Sequence, residues 1–323
     1  MLHDGHIPRR RGADVFAVLS LTLGLTFCAC AREQHQEKVR ESVPPKLTAG
    51  RSIEAGNAVV VSADSIASRV GVDILQHGGN AVDAAVGVAF ALAVTYPRAG
   101  NIGGGGFMLI RLADGEMHFI DYRETAPAAA TRDMYLDPLG DVIGDKSTCG
   151  ALAAGVPGTV AGLGLAHERF GLLSWEEVVG YAWRLAKDGF VVDDSFVESV
   201  GNERELLESH PETRRIFVES KLAPGDRFTQ PELAATLHRI MTDGADEFYR
   251  GETADMIAAE MARDGGLITT EDLAAYKAVF REPTRVSYRG YEIISAPLPS
   301  SGGIILSELF QILERYSVGD FGY

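Results

Sequence analysis

The chain has 323 residues, 46% of them hydrophobic, enough to bury the core of one large domain or two ordinary ones. Its net charge is −15 and no Lys/Arg stripe runs along the body, which excludes a phosphate-binding footprint and with it a nucleic-acid partner. Thirty-six glycines without a collagen-like period point to tight turns and close backbone packing.

Arg9, Arg10 and Arg11 precede the short apolar stretch Val15–Phe27, and Cys28-Ala29-Cys30-Ala31 follows. The stretch is too short to span a bilayer, and the basic flank ahead of it marks residues 1–31 as an export signal. Two processing routes stay open. Ala29-Cys30-Ala31 fits an A-x-A cleavage site. Phe27-Cys28-Ala29-Cys30 fits an imperfect lipobox, with Cys30 as the acylated residue. The product is expected outside the cytoplasm, either periplasmic or lipid-anchored to the bacterial envelope. Residues 32–57 are polar, carry Pro44-Pro45 and read as a tether. With Cys28 and Cys30 in the signal, Cys149 stands alone. No His pairs with it locally, so a small, partly buried thiol is a better reading than a nucleophile.

The body, 58–323, opens on Ala58-Val59-Val60-Val61, expected as a short strand. Ile66, Val70 and Ile74 recur every fourth residue and predict a helix over 65–77, stopped by Gly78-Gly79. Asn80 with Asp83 three residues on forms a capping box for a second helix, AVDAAVGVAFALAV, apolar nearly all round and therefore buried. FMLIRL and EMHFIDY around Asp114-Gly115 predict a hairpin. Gly155-Val156-Pro157-Gly158 opens a small-residue helix ending near Phe170-Gly171, and Ser174 with Glu177 caps the next, to Lys187. Residues 190–280 read as mostly helical, with a start at Pro231 and another at Glu271 after Gly265-Gly266. Residues 285–296 read as a hairpin turning at Arg289-Gly290, and Ile304–Tyr316 as a closing helix. Helices alternating with short strands give a mixed, layered α/β fold.

Generic catalytic motifs are missing from the sequence: no H-E-x-x-H, C-x-x-C pair, Walker loop or G-x-S-x-G elbow. Gly103–Gly106 leads into a strand and lacks a following Lys, so a turn with close backbone approach is favoured over a phosphate cradle. Ser300-Ser301 before Gly302-Gly303 reads as a helix cap and turn ahead of a nucleophile, because no base accompanies it.

The segment GGNAVDAAVGVAFALAVTYPRAGNIGGGGFMLIRLADGEMHFIDYRETAPAAA resembles the large-subunit signature of the gamma-glutamyltranspeptidases. VSADSIASRVGVDIL, GALAAGVPGTVAGLGLAHERFG, QPELAATLHRI, GADEFYRGETADMIAAEM, GGLITTEDLAAYKA and REPTRVSYRGYEIISAPLPSSGG follow the same family in order. Leu298 departs from it, standing where a third proline is usual. The resemblance implies an N-terminal nucleophile hydrolase, a four-layer αββα sandwich that is incomplete in this chain. It implies transfer of a gamma-glutamyl group from glutathione to water or to an amino-acid or peptide acceptor, without metal or organic cofactor. The nucleophile would be a threonine beyond residue 323, freed by autoproteolysis, and residues 1–323 alone are expected to be inactive. The helix at 81–94 is expected to need packing partners from that missing small subunit. Arg123, in Asp121-Tyr122-Arg123-Glu124-Thr125-Ala126-Pro127, matches the family's arginine for the substrate α-carboxylate; a salt bridge to Asp121 or Glu124 is the structural alternative. Two rival functions stay open. One is a cephalosporin or glutaryl acylase of the same fold, against which Arg123 is expected to argue. The other is a non-catalytic exported remnant.

Overall fold

The computed structural model describes residues 54–321. The readings made for residues 1–31, including Cys30, and for most of the tether lie outside the described residues.

Local signals start most helices where the sequence places them. Helix α1 (Ser65–Gln76) is capped by Asp64, whose carboxylate accepts from Ala67 N. Helix α2 (Ala81–Thr95) begins with the full reciprocal box: Asn80 accepts from Val82 N and Asp83 N, and Asp83 accepts from Asn80 N. The hairpin is strand β1 (Phe107–Arg111) paired antiparallel with β2 (Met117–Asp121), and Gly115 at φ +95° supplies the left-handed turn residue. Helix α3 (Thr159–Phe170) follows, then α4 (Trp175–Asp188) behind the Ser174/Glu177 box.

The helices pack as a layer around α2. Val86, Phe90, Ala91 and Val94 are fully buried, against Ile74 of α1, Leu163 of α3 and Val178, Val179 and Ala182 of α4. This corrects one expectation. Most partners of α2 lie within this chain, since α1, α3 and α4 enclose it except along an edge of Ala81, Ala85, Ala89 and Leu92. None of the described helices is long and apolar enough to cross a membrane. Apolar surface is left uncovered elsewhere: Ile304, Ile305, Leu309 and Ile312 on the last helix, and Leu109 and Val279 on the sheet.

The region after α4 is helical with two interruptions that the sequence reading passed over. Phe190–Val191 (β3) pairs with Arg227–Phe228 (β4) around a cluster of Phe190, Phe196, Phe217 and Phe228. Between them lie α5 (Asp194–Asn202), α6 (Arg204–Ser209) and a π turn at Arg214–Val218. Helix α7 (Pro231–Asp243) starts with Pro at its first turn, then come α8 (Glu247–Arg250), α9 (Glu252–Asp264) and α10 (Thr270–Ala275). Strand β5 (Val279–Arg281) then returns to pair antiparallel with β2, so the hairpin becomes a three-stranded sheet, β1-β2-β5. Ile110 and Ile120 on one face join the helical core, while Phe107, Leu109, Phe119 and Val279 occupy the other.

Ala58–Val61, expected as a strand, is not one. No backbone ladder partner reaches it among the described residues, and Val59 and Val61 are exposed while Val60 packs on α1 and α2 near Gly71 and Val88. Apolar, β-branched composition satisfies only the side-chain half of what a strand needs. The last unit is the hairpin β6 (Thr284–Tyr288) and β7 (Tyr291–Ser295), turning through Arg289 and Gly290 at φ +50° and +82°, followed by α11 (Gly302–Leu313). The Leu298–Pro299 peptide is cis, and the Leu298 side chain is exposed, so its departure from the proline of the resembled family costs no packing.

Candidate functional site

Arg123 leaves the end of β2, where one more pair of bonds joins Tyr122 to Gly106 beyond the strand itself (N···O 3.0 and 3.3 Å). Two residues later Thr125 pairs with Val156 (2.8 and 3.2 Å), and Ala128 N donates to Asp272 of α10 (2.8 Å). The loop 122–128 is therefore held along its length, and the exposed Arg123 side chain rises from rigid backbone.

Its main chain is gripped at both peptide groups. Arg123 N donates to Asp121 Oδ1 at 3.0 Å, and Arg123 O accepts from the Tyr276 hydroxyl at 2.8 Å. The nearly buried Asp121 spends its other oxygen on Arg281 of β5, with Nε 2.6 Å from Oδ2. The alternative pairing of Arg123 with Asp121 or Glu124 is not formed among the described residues. Asp121 pairs with Arg281, and the Arg123 guanidinium forms no ion pair or hydrogen bond with a described residue. A guanidinium so placed offers a planar fork to a carboxylate, the shape that lysine lacks.

Beneath the loop, glycines make room for aromatic rings. A Cβ on Gly158 would collide with the Tyr122 carbonyl and the Tyr276 phenol, and one on Gly162 would enter the Tyr122 ring. Tyr276 stacks on Tyr249, with centroids 5.7 Å apart and planes at 11°, and the Tyr249 hydroxyl donates to Pro157 O at 3.0 Å. Burial first, then the carboxylates of Asp121 and Glu124, push the Tyr276 phenol well above its ordinary value, and burial does the same for Tyr249. Both stay neutral donors at physiological pH.

The four-glycine run is a site of close backbone approach. Gly104 O accepts from Gly158 N (2.7 Å) and Thr159 N (3.0 Å) at the start of α3, and a Cβ on Gly105 would lie 2.8 Å from Glu124 N. The first amides at the α3 N-terminus are thus spent on a carbonyl. Ser300 makes a turn, its Oγ accepting from Gly302 N at 3.2 Å, while Ser301 makes no side-chain cap. Cys149 is half-buried in the turn after Asp145. Among the described residues Ser209 Oγ lies 2.8 Å from His210 Nδ1, but the two are exposed neighbours at a helix end and the hydroxyl donates to Leu206 O. No three His, Cys, Asp or Glu side chains gather as metal ligands would among the described residues. Among the described residues the site holds no assembled nucleophile. Sequence reasoning singled out Arg123 and the close approach at Gly103–Gly106, named Asp121 only as a salt-bridge partner for Arg123, and missed Tyr276, Tyr249 and Arg281, which no local pattern marks.

The family model for gamma-glutamyltranspeptidase matches residues 67–323. The chain belongs to the gamma-glutamyltranspeptidase family. It is 49% identical over 274 residues to the glutathione hydrolase proenzyme of Escherichia coli K12, covering 84% of this chain and 47% of that protein. The structure of Helicobacter pylori gamma-glutamyltranspeptidase superposes with a TM-score of 0.82 at 41% identity, over 84% of this chain and 79% of that one. An acylase proenzyme, ACY 1 of Pseudomonas sp. SE83, is 41% identical over 274 residues, covering 82% of this chain and 49% of it. This gamma-glutamyltranspeptidase-family chain spans about half the length of the curated relatives it matches. The layered α/β class expected from the sequence is that of its structural neighbours, which include a Bacillus halodurans cephalosporin acylase at 26% identity.

Proposed function

We propose that this chain is the large-subunit part of an enzyme that transfers gamma-glutamyl groups from glutathione to water or to an amino-acid or peptide acceptor. Arg123 takes the substrate α-carboxylate. The observation that carries this is the Arg123 guanidinium, on clamped backbone and unpaired by any described residue. The chemistry belongs to a threonine beyond residue 323. Its hydroxyl attacks the γ-carbonyl, its α-amine takes the proton and passes it to the departing amine, and water or an acceptor amine then opens the glutamyl ester. The rest of the precursor covers the apolar α11 face and the open side of the sheet.

Against the acylase rival, Arg123 weighs less than the sequence reading assumed. A glutaryl group carries a carboxylate on the corresponding carbon and lacks only the ammonium, so the same guanidinium serves either. The glutathione hydrolases of Escherichia coli and two Pseudomonas strains, at 47–51% identity against 40–41% for the ACY 1 acylases, support the glutamyl reading. The test is Arg123→Ala in the complete polypeptide, assayed on gamma-glutamyl-p-nitroanilide and on the 4-aminobutyryl anilide, which keeps the amine and lacks the carboxylate. Losing one partner of a desolvated charge pair costs roughly 2–5 kcal/mol. The gamma-glutamyl kcat/KM should fall by about 30-fold or more, with the aminobutyryl value little changed and autocleavage intact. Equal losses on both anilides would reject the clamp.

Export through residues 1–31 is part of the same proposal and rests on Arg9–Arg11 and the apolar run 15–27. If Cys30 is acylated, palmitate should label the protein in cells and Cys30→Ser should abolish the label. A soluble periplasmic product starting near Arg32 would select ordinary cleavage, and retention in the cytoplasm would refute export.

A further inference from the structure

We propose that Tyr276 is a positioning residue for Arg123, setting the strength of carboxylate recognition without touching substrate; this rests on the role given to Arg123 above. A side chain is aimed by the backbone beneath it. The two peptide groups flanking the Arg123 Cα decide where its Cβ points, since only φ and ψ are soft. The N–H of the first is held by Asp121, two residues away on the same strand end. The C=O of the second accepts from the Tyr276 hydroxyl, 153 residues later, at 2.8 Å.

The phenol is itself built in. Its ring stacks on Tyr249, which is buried and anchored to Pro157 O at 3.0 Å and Ala161 N at 3.1 Å. Gly158 leaves the space in which the hydroxyl lies, and any side chain there would occupy it. Tyr276 follows helix α10 and precedes β5, the strand whose Arg281 holds the other oxygen of Asp121. One short segment, 276–281, thus reaches both ends of the Arg123 main chain, once directly and once through Asp121. With its pKa raised by burial and by the Asp121 and Glu124 charges, the phenol remains a donor throughout the working pH range.

The test is Tyr276→Phe in the complete polypeptide, which keeps the ring and its stack and removes only the donor. Losing one neutral hydrogen bond that orients a binding group should raise KM for gamma-glutamyl-p-nitroanilide about 3- to 10-fold. The kcat should stay within about twofold, because the reacting carbonyl is not moved, and the 4-aminobutyryl anilide should be unaffected. In an Arg123→Ala background the same change should add nothing. The proposal is overturned if Tyr276→Phe leaves KM unchanged, lowers kcat on both anilides alike, or adds its full effect to Arg123→Ala. Arg123→Ala alone separates the two levels: if it spares the gamma-glutamyl anilide, the carboxylate clamp fails. If it behaves as expected while Tyr276→Phe does nothing, only the positioning role fails.

Discussion

Asp83→Ala would remove the joint between α2 and the turn that leads into α4. The Asp83 side chain is completely buried, and its oxygens accept from Asn80 N at 2.8 Å and from Leu172 N at 3.0 and 3.1 Å. A contact to Leu173 N at 3.4 Å is too long to count for much. Alanine breaks the reciprocal capping box, a loss of about 1 kcal/mol. It also removes the charged acceptor of the Leu172 amide, about 1.5–3 kcal/mol for a hydrogen bond to an ionised group. Together these give about 2–4 kcal/mol, which for a chain of this size is a fall in Tm of about 3–7 °C. Far-UV circular dichroism would follow the melt. Fluorescence of Trp175, which packs edge-on to Phe90 and His167, would report the turn itself. Asp83→Asn keeps one acceptor oxygen and should recover part of the loss. A Tm within about 2 °C of the parent would refute the reasoning, since water would then replace the carboxylate at no cost.

Gly158→Ala should disturb both the Tyr122 carbonyl and the Tyr276 phenol. Overpacking of this kind costs about 1–3 kcal/mol, and KM for the gamma-glutamyl anilide should rise at least as much as in Tyr276→Phe; a fully active variant of unchanged Tm would show that the loop is loose. The phenols of Tyr249 and Tyr276 predict alkaline instability with a definite sign. Their folded pKa values lie above the ordinary 10.0, so the stability they contribute is complete below that pH and is lost as pH rises beyond it. Ultraviolet titration should show these two tyrosines ionising only together with unfolding, and free titration near pH 10 in the folded protein would contradict their burial.

Much of the local structure was written in short-range pattern. Asn80 with Asp83, Ser174 with Glu177, Asp114-Gly115 and Arg289-Gly290 each act over one to three residues, and each begins or turns an element where the sequence places it. Such signals survive without knowledge of the fold because the donor and acceptor are neighbours in the chain. The family was legible for the same kind of reason, as long runs of residues in fixed order. The tertiary structure alone decided that Val279–Arg281 joins the hairpin as a third strand while Ala58–Val61 joins no described strand, since a strand exists only where another backbone offers it bonds. It alone turned Asp121 toward Arg281 and left Arg123 unpaired by any described residue, and it carried Tyr276 across 153 residues to the Arg123 carbonyl. No periodicity encodes those meetings. They follow from how helix α10 and strand β5 return over the sheet, and a contact made by topology has no trace in the spacing of either partner.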